Sequence, residues 1–343
     1  MRVLFMTNGR QMNFRKLISA AFIAFAAIAC KKNDDGTVTP SLEGYLSIKG
    51  LSEFVSPDSY LDLEAEGVTH PEGGEIGYYW KLSPTKPEAC TTKVYRAEFS
   101  DTLQTCTVYC NAFAEGYSGT SLTSYVTVVK GGKDGSIKGI DFPDDCVPTN
   151  DGEYYYRQIG SQTWTMNNLA ERDLAERDYG KAYRNAEIMS DVLGRYYNYE
   201  DAKQACESLS TAEQTWALPT LEDWRTLESY VNGTLTSNND AGRSLAAALM
   251  ADATFNSNTM WKYRPKVGDI TNSSGFSAIP AGYANLASSA FEGEYEYATF
   301  WTDTEAERAD EAYCAYLYFE DSGLYFLSAD KESFGASVRC IQK

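Results

Sequence analysis

The sequence reads as a multidomain protein in which an all-β sandwich is followed by an α+β domain. Residues 41–130 hold short runs with period-two alternation, such as TCTVYCNAF at 105–113 and SYVTVV at 124–129. Residues 131–136, GGKDGS, break that pattern and open a linker that runs to residue 145. From Tyr199 the apolar spacing becomes helical. With 343 residues, 43 % of them apolar, the chain is long enough for two packed cores.

The first element is a targeting segment, assigned to residues 1–29. Arg15 and Lys16 precede an apolar run from Leu17 to Ala29, too short to span a bilayer comfortably, and small residues lead into Cys30. This resembles a lipobox, in which cleavage precedes the cysteine and its thiol carries lipid. Met12 is the more natural start. Lys31, Lys32, Asn33, Asp34 and Asp35 follow, similar to the export signal of Bacteroidota-type surface lipoproteins, and residues 30–40 read as a lipidated tether. The resemblance implies an outer-membrane location, held by lipid through Cys30 and facing the cell exterior.

Between 41 and 130, strands are expected near 45–49, 60–64, 76–82, 93–99, 105–113 and 123–129. Their number and spacing suit an immunoglobulin-like sandwich with Trp80 in its core. Asp101, Thr102 and Leu103 resemble a sequon for periplasmic O-glycosylation. Eight cysteines occur, at 30, 90, 106, 110, 146, 206, 314 and 340. An exported chain meets an oxidising environment, so disulfides are expected, and lipidation of Cys30 leaves an odd number. Cys106 and Cys110 lie four apart on a strand and cannot bridge each other, so Cys90 can pair with either.

The α+β domain is assigned to 146–343. Two strands joined at Gly160 and Ser161 open it. A helix starts at Tyr199 with Ala202, Ala205 and Cys206 on one face. A second follows Thr220, the N-cap candidate, with Asp223 three residues on, an apolar stripe of Trp224, Leu227 and Val231, and a closing turn at Asn232 and Gly233. A third helical segment covers 241–249.

The ordered motifs of this domain carry a resemblance. They are Ile159-Gly160 with Gln162 and Trp164, then Asn168-Leu169; Tyr196-Tyr197 with Tyr199, Ala202 and Cys206; and Leu218-Pro219-Thr220 with Trp224. Gly275-Phe276-Ser277-Ala278, Pro280-Ala281-Gly282, Phe300-Trp301 and Ser337-Val338-Arg339-Cys340 complete the set. Together they resemble the Fibrobacter succinogenes major paralogous domain family. The resemblance implies a C-type-lectin-like fold, shared with formylglycine-generating enzymes, and no single agreed activity. It also implies a disulfide from Cys206 to Cys340, with Cys146 and Cys314 as a further possible pair. Two departures stand out. The family's Cys-Pro-x-Gly-Trp is absent after Cys206, and LAERD at 169–173 is repeated at 174–178, a tandem duplication that lengthens a surface loop.

Charge and histidine content exclude several functions. With 48 acidic and 30 basic residues the formal charge is −18, and removal of residues 1–29 moves it to −22, which argues against a nucleic-acid partner. His70 is the one histidine, so histidine-rich metal sites and most catalytic triads are excluded. The relatives that generate formylglycine use two reactive cysteines; here Cys314 and Cys340 are the late ones, and one is needed structurally. An enzyme of that kind is therefore a secondary alternative.

Binding is the expected function. The long-loop region of lectin-like domains maps onto residues 261–301, where Trp261, Tyr263, Glu292, Glu294, Tyr295 and Tyr297 are the candidate ligand-binding residues. Tyrosine faces stack on sugar rings or anchor protein interfaces, and carboxylates accept sugar hydroxyls. Calcium-dependent lectins carry Glu-Pro-Asn or Gln-Pro-Asp motifs that are missing here. Trp301 and Asp303 echo a further lectin motif, so Asp303 and Glu305 are the candidates should Ca²⁺ bind. No other cofactor is expected. The expected role is a cell-surface adhesion or recognition protein with a glycan or protein ligand; the alternative is a subunit or tip of a surface fibre.

Overall fold

A computed structural model describes residues 38–84, 90–174, 177–235 and 244–343, together with the pairs 6–7 and 10–11. The targeting segment, Cys30 and most of the tether lie outside the described residues. Two compact units emerge, and the boundary between them falls at Val129 and Lys130. Among the described residues, no helix is long and apolar enough to cross a membrane.

The N-terminal unit is a two-layer β sandwich. One sheet pairs Glu43–Lys49, Tyr60–Thr69 and Val94–Glu98 in that order, all antiparallel. The other runs Phe54–Val55, Thr120–Val128, Thr105–Phe113 and Gly77–Ser83. Period-two alternation is realised directly: Cys106, Val108, Cys110 and Ala112 of the Thr105–Phe113 strand all face inward. They meet Leu63, Ala65 and Ala97 of the opposite sheet around Trp80. Trp80 is fully buried, as expected, and its indole N–H donates to the Thr92 carbonyl at 2.9 Å. His70 sits in a turn of this unit, where its Nδ1 accepts from the Glu72 N–H.

No disulfide forms in the described part of the sandwich, and the topology explains why. Trp80 pairs with Cys110 on one side and bridges Cys90 on the other. Cys90 and Cys110 therefore lie two strand spacings apart, about 9–10 Å, beyond the reach of a disulfide of about 7 Å. Cys90, Cys106 and Cys110 are free thiols, and so are Cys146 and Cys314.

The C-terminal unit combines short sheets with helices. Its five-stranded sheet runs Cys146–Pro148, Glu153–Ile159, Gln162–Thr165, Ile341–Gln342 and Trp216–Ala217. The last strand thus lies between elements from the start of the domain, with Ile341 opposite both Trp164 and Ala217. A second sheet pairs Tyr297–Glu305, Glu311–Tyr318 and Tyr325–Asp330.

The helices follow their sequence signals. Asn198 caps Tyr199–Glu207 by accepting from the Asp201 N–H at 2.7 Å, and Ala202, Ala205 and Cys206 are buried. Thr220 and Asp223 form a reciprocal capping box on Leu221–Thr234, whose buried stripe is Trp224, Leu227 and Val231. That helix runs through Asn232 and Gly233 rather than turning there, and closes at Leu235. Of the third helical segment, Leu245–Leu249 is described as a buried helix capped by Ser244, and 241–243 lie outside the described residues. Cys206 is bonded to Cys340, with Cα atoms 5.5 Å apart, so the Tyr199–Glu207 helix is stapled to the chain end.

Two composition-based readings change. Residues 131–145 are not a free linker, because Ile137–Lys138 pair with Thr254–Phe255 and the stretch folds onto the C-terminal unit. Gly131 permits this docking, since a Cβ there would meet the Asp191 carbonyl oxygen at 2.0 Å. The duplicated LAERD forms a small backbone hairpin, Asp173–Leu174 against Arg177–Asp178, while the first copy's Leu169, Ala170 and Glu171 are buried.

Candidate functional site

The core under the candidate face is organised by Arg339. It is fully buried, and its Nε donates to Asn168 Oδ1 at 2.7 Å. Its terminal nitrogens donate to the carbonyls of Thr165, Phe276 and Ser277 at 2.9–3.0 Å. The guanidinium also lies over the Phe276 and Phe300 rings, at 5.1 and 5.6 Å. Burial pulls its pKa down, yet four acceptors and two ring faces favour the charged form. This knot fixes Phe276 and Ser277, at the start of the segment that reaches Pro280.

Above it, the loop 293–296 is a tight turn: the N–H groups of Glu296 and Tyr297 both donate to the Gly293 carbonyl. Tyr295 sits there at φ 66°, in the left-handed region. It is clamped from both sides, its N–H donating to Pro280 O at 2.9 Å and its carbonyl accepting from Lys262 N at 3.0 Å. The second bond brings the 261–263 segment alongside, and Lys262 Nζ pairs with Glu296. Tyr263 is 84 % exposed and Tyr295 39 %. The two tyrosines thus belong to one backbone-locked surface.

The carboxylates are committed to nearby hydroxyls and a cation. Glu294 accepts from the Tyr183 hydroxyl at 3.0 Å and lies 3.6 Å from Arg184. Glu292 accepts from the Tyr283 hydroxyl at 3.3 Å. Burial and these carboxylates push the Tyr183 and Tyr283 hydroxyls above their ordinary range, so both stay protonated donors. Tyr183 and Arg184 escaped the sequence reading because they reach this face from more than a hundred residues away, with no periodic signal marking them.

Two of the six ligand candidates belong to the core instead. Trp261 is 2 % exposed and packs in the cluster around Leu245–Leu249, Val267 and Phe276. Tyr297, also 2 % exposed, stacks on Tyr318 with centroids 4.5 Å apart. Alternation through 292–297 would have placed Tyr295 and Tyr297 on one face. The turn at Gly293 breaks that period, and the strand begins only at Tyr297. Tyr263, Tyr295, Glu292 and Glu294 remain accessible.

The calcium candidates are held by cations of the chain itself. Asp303 Oδ1 accepts from the Tyr199 hydroxyl at 2.9 Å and pairs with Lys203 at 3.2 Å. Glu305 pairs with Lys331 at 2.6 Å, and the Lys331 hydrogen bond and charge hold its carboxyl below the usual range. Two lysines at these oxygens oppose a divalent ion, and no group of three ligating side chains occurs among the described residues. Nor do the late cysteines form a reactive pair: Cys340 is bonded to Cys206, and burial pushes the Cys314 thiol far up.

A cavity of about 340 Å³ lies in this unit, lined by Ile137, Ile140, Phe142, Met166, Ile279 and Arg339 among others. Its polar groups serve the fold. Asn167 bonds the Tyr155 N–H and the Glu153 carbonyl, and Asp151 and Asp191 both engage Arg172. The exposed tyrosine face is the better candidate for recognition.

Residues 158–342 match the family model for the Fibrobacter succinogenes major domain, just over half of the chain. No curated protein matches the chain.

Proposed function

The chain belongs to the Fibrobacter succinogenes major domain family, and from that premise we propose that it is a lipid-anchored recognition protein of the outer cell surface, whose C-terminal unit binds a glycan. In this reading Cys30 carries the lipid, and an immunoglobulin-like sandwich spaces the binding unit from the membrane. The sandwich assignment is supported by the three- and four-stranded sheets closing on Trp80. A C-type-lectin-like assignment for the second unit is supported by the Cys206–Cys340 staple and by the last strand lying between early elements.

One observation carries the binding reading. Tyr295 is a non-glycine residue at φ 66°, clamped by two backbone bonds, so that its ring stands at the surface beside the segment bearing Tyr263. Such a conformation costs on the order of 1 kcal/mol and persists only where its surroundings impose it. Two rings so presented offer stacking faces for sugars, and the second carboxylate oxygens, Glu292 Oε1 and Glu294 Oε2, accept sugar hydroxyls.

The test is a mixed glycan and mucin array probed with the chain carrying Cys30→Ser, with Ca²⁺ and again with EDTA. Saturable binding is expected, abolished by Tyr263→Ala or Tyr295→Ala and retained in EDTA, because Lys203 and Lys331 occupy Asp303 and Glu305. Absence of binding on every glycan overturns the reading.

A second reading, a subunit of a surface fibre, is favoured by the sandwich. Its Val94–Glu98 strand lies at a sheet edge with Val94 exposed, and Tyr45 and Tyr60 of the same sheet are exposed as well. Concentration-dependent self-association on size exclusion would support it, and a monomer at all concentrations would remove it.

A further inference from the structure

Three of the chain's 30 basic residues fall within five positions, Lys262, Arg264 and Lys266, around the exposed Tyr263. In a chain of charge −18 this is a run of cations in the sequence, with Glu296 and Asp252 lying against two of them. The segment is held rigidly. Lys262 N–H bonds the Tyr295 carbonyl, and the Arg264 carbonyl accepts from both Val267 and Gly268, closing a tight turn.

The three cations are not equally engaged. Lys262 is paired with Glu296. Among the described residues Arg264 pairs with Asp252 alone, through a terminal nitrogen at 4.0 Å, the outer limit of an ion pair. Its side chain is 19 % exposed and its Nε is buried without a partner, so only the terminal nitrogens can face a ligand. Lys266 is exposed and forms no ion pair or hydrogen bond with a described residue. Asp269, three residues further on, pairs with neither. A guanidinium with unused donors gains most from an oxyanion, which can take two parallel N–H bonds. Glu292, Glu294 and Glu296 lie on the same face, with Arg184 against Glu294 and Lys262 against Glu296, so an anionic ligand is directed to the Arg264–Lys266 end of the turn.

Resting on the recognition reading above, we infer that the turn at 262–266 binds the anionic group of an acidic glycan, a carboxylate or a sulfate, with Tyr263 stacked on the sugar ring that carries it. Arg264 supplies the directional bonds and Lys266 an unpaired charge. Lys262, already neutralised, aligns the turn with Tyr295. The ligand is therefore charged and ring-bearing, which separates it from neutral sugars and from acidic peptides.

The experiment passes the full-length chain in non-ionic detergent over immobilised polygalacturonate, dextran sulfate, plain dextran and polyglutamate at about 0.15 M salt, where surface charges are screened beyond about 8 Å. Retention is expected on polygalacturonate, on dextran sulfate, or on both, the two arms identifying the anion. Lys266→Glu, a turn-surface change that leaves the core alone, should weaken it at least about tenfold, the equivalent of one charge-assisted contact. Arg264→Gln should do the same, and Arg264→Lys should restore part of it. Equal retention on plain dextran, unaffected by Lys266→Glu, overturns the inference while leaving glycan recognition standing. Equal retention on polyglutamate overturns it in favour of an acidic peptide. No retention on either acidic polymer overturns it outright, and if the neutral array is silent as well, the recognition reading falls with it.

Discussion

Arg339 shows how much one buried cation can hold. Its four hydrogen bonds join segments 62 to 174 residues away in sequence, with no carboxylate among the partners. Arg339→Met would strip the donors from three buried carbonyls and the Asn168 amide oxygen. The expected loss is about 3–5 kcal/mol, the range found when one partner of a buried charged network is removed. Urea denaturation of the C-terminal unit would measure it, and a loss under about 1 kcal/mol would mean that water replaces the guanidinium. Arg339 was visible in the sequence as part of a motif, but its role was not, because its partners lie on separate segments. The same limit explains Trp261 and Tyr297, where residue type signalled a ligand face and only the turn at Gly293 and the packing beneath Leu245–Leu249 decide burial. Tyr263 and Tyr295 remained accessible because each sits on a tight surface loop.

Helices were the most legible elements, since their caps are local. The Thr220–Asp223 box and the stripe of Trp224, Leu227 and Val231 were readable from spacing alone and form as expected. Thr220→Ala should cost about 1 kcal/mol, the usual value of a lost N-cap, read as a shift in denaturation midpoint at unchanged slope. Asp223 adds a pH dependence. Burial alone would raise its carboxyl, but the bonds from Lys343 at 2.7 Å and from Thr220 outweigh it and hold the pKa below the usual range. A carboxyl depressed in the folded state contributes stability that is full above its unfolded pKa of about 4 and is lost as pH falls through the folded value. Acid titration should therefore destabilise the chain below about pH 4, and Asp223→Asn should flatten that limb. A slope unchanged by Asp223→Asn would show that other carboxylates dominate. The 131–145 stretch was the least legible element. Its glycines signalled flexibility, whereas Gly131 serves close approach to Asp191, a property of the partner surface and not of local composition.

Two units with separate cores and unequal covalent support should respond differently to reduction. The sandwich is held by packing around Trp80, and its described cysteines are free thiols. The C-terminal unit is cross-linked between Cys206 and Cys340 across 134 residues. Closing a loop of that length removes unfolded-state entropy worth about 4–5 kcal/mol in the chain-entropy model, more than Thr220→Ala would cost. Calorimetry of the intact chain should therefore resolve two transitions. Reductant should lower only the one belonging to the C-terminal unit, and Cys206→Ser with Cys340→Ser should reproduce that shift without reductant. Both transitions moving together would show that the two cores unfold as one, which their separate hydrophobic clusters argue against. Neither moving would mean that the staple adds little because the unfolded unit is already compact. The two clusters of the C-terminal unit meet around the strand carrying Ala312, Cys314, Ala315 and Leu317. A lowered transition should therefore still be cooperative, and a broadened one would locate the loss in the half bearing Cys206. The turn at 262–266 lies in the other cluster, on Trp261 and Val267, so the tyrosine face should keep its ligand affinity after reduction at temperatures below the shifted transition.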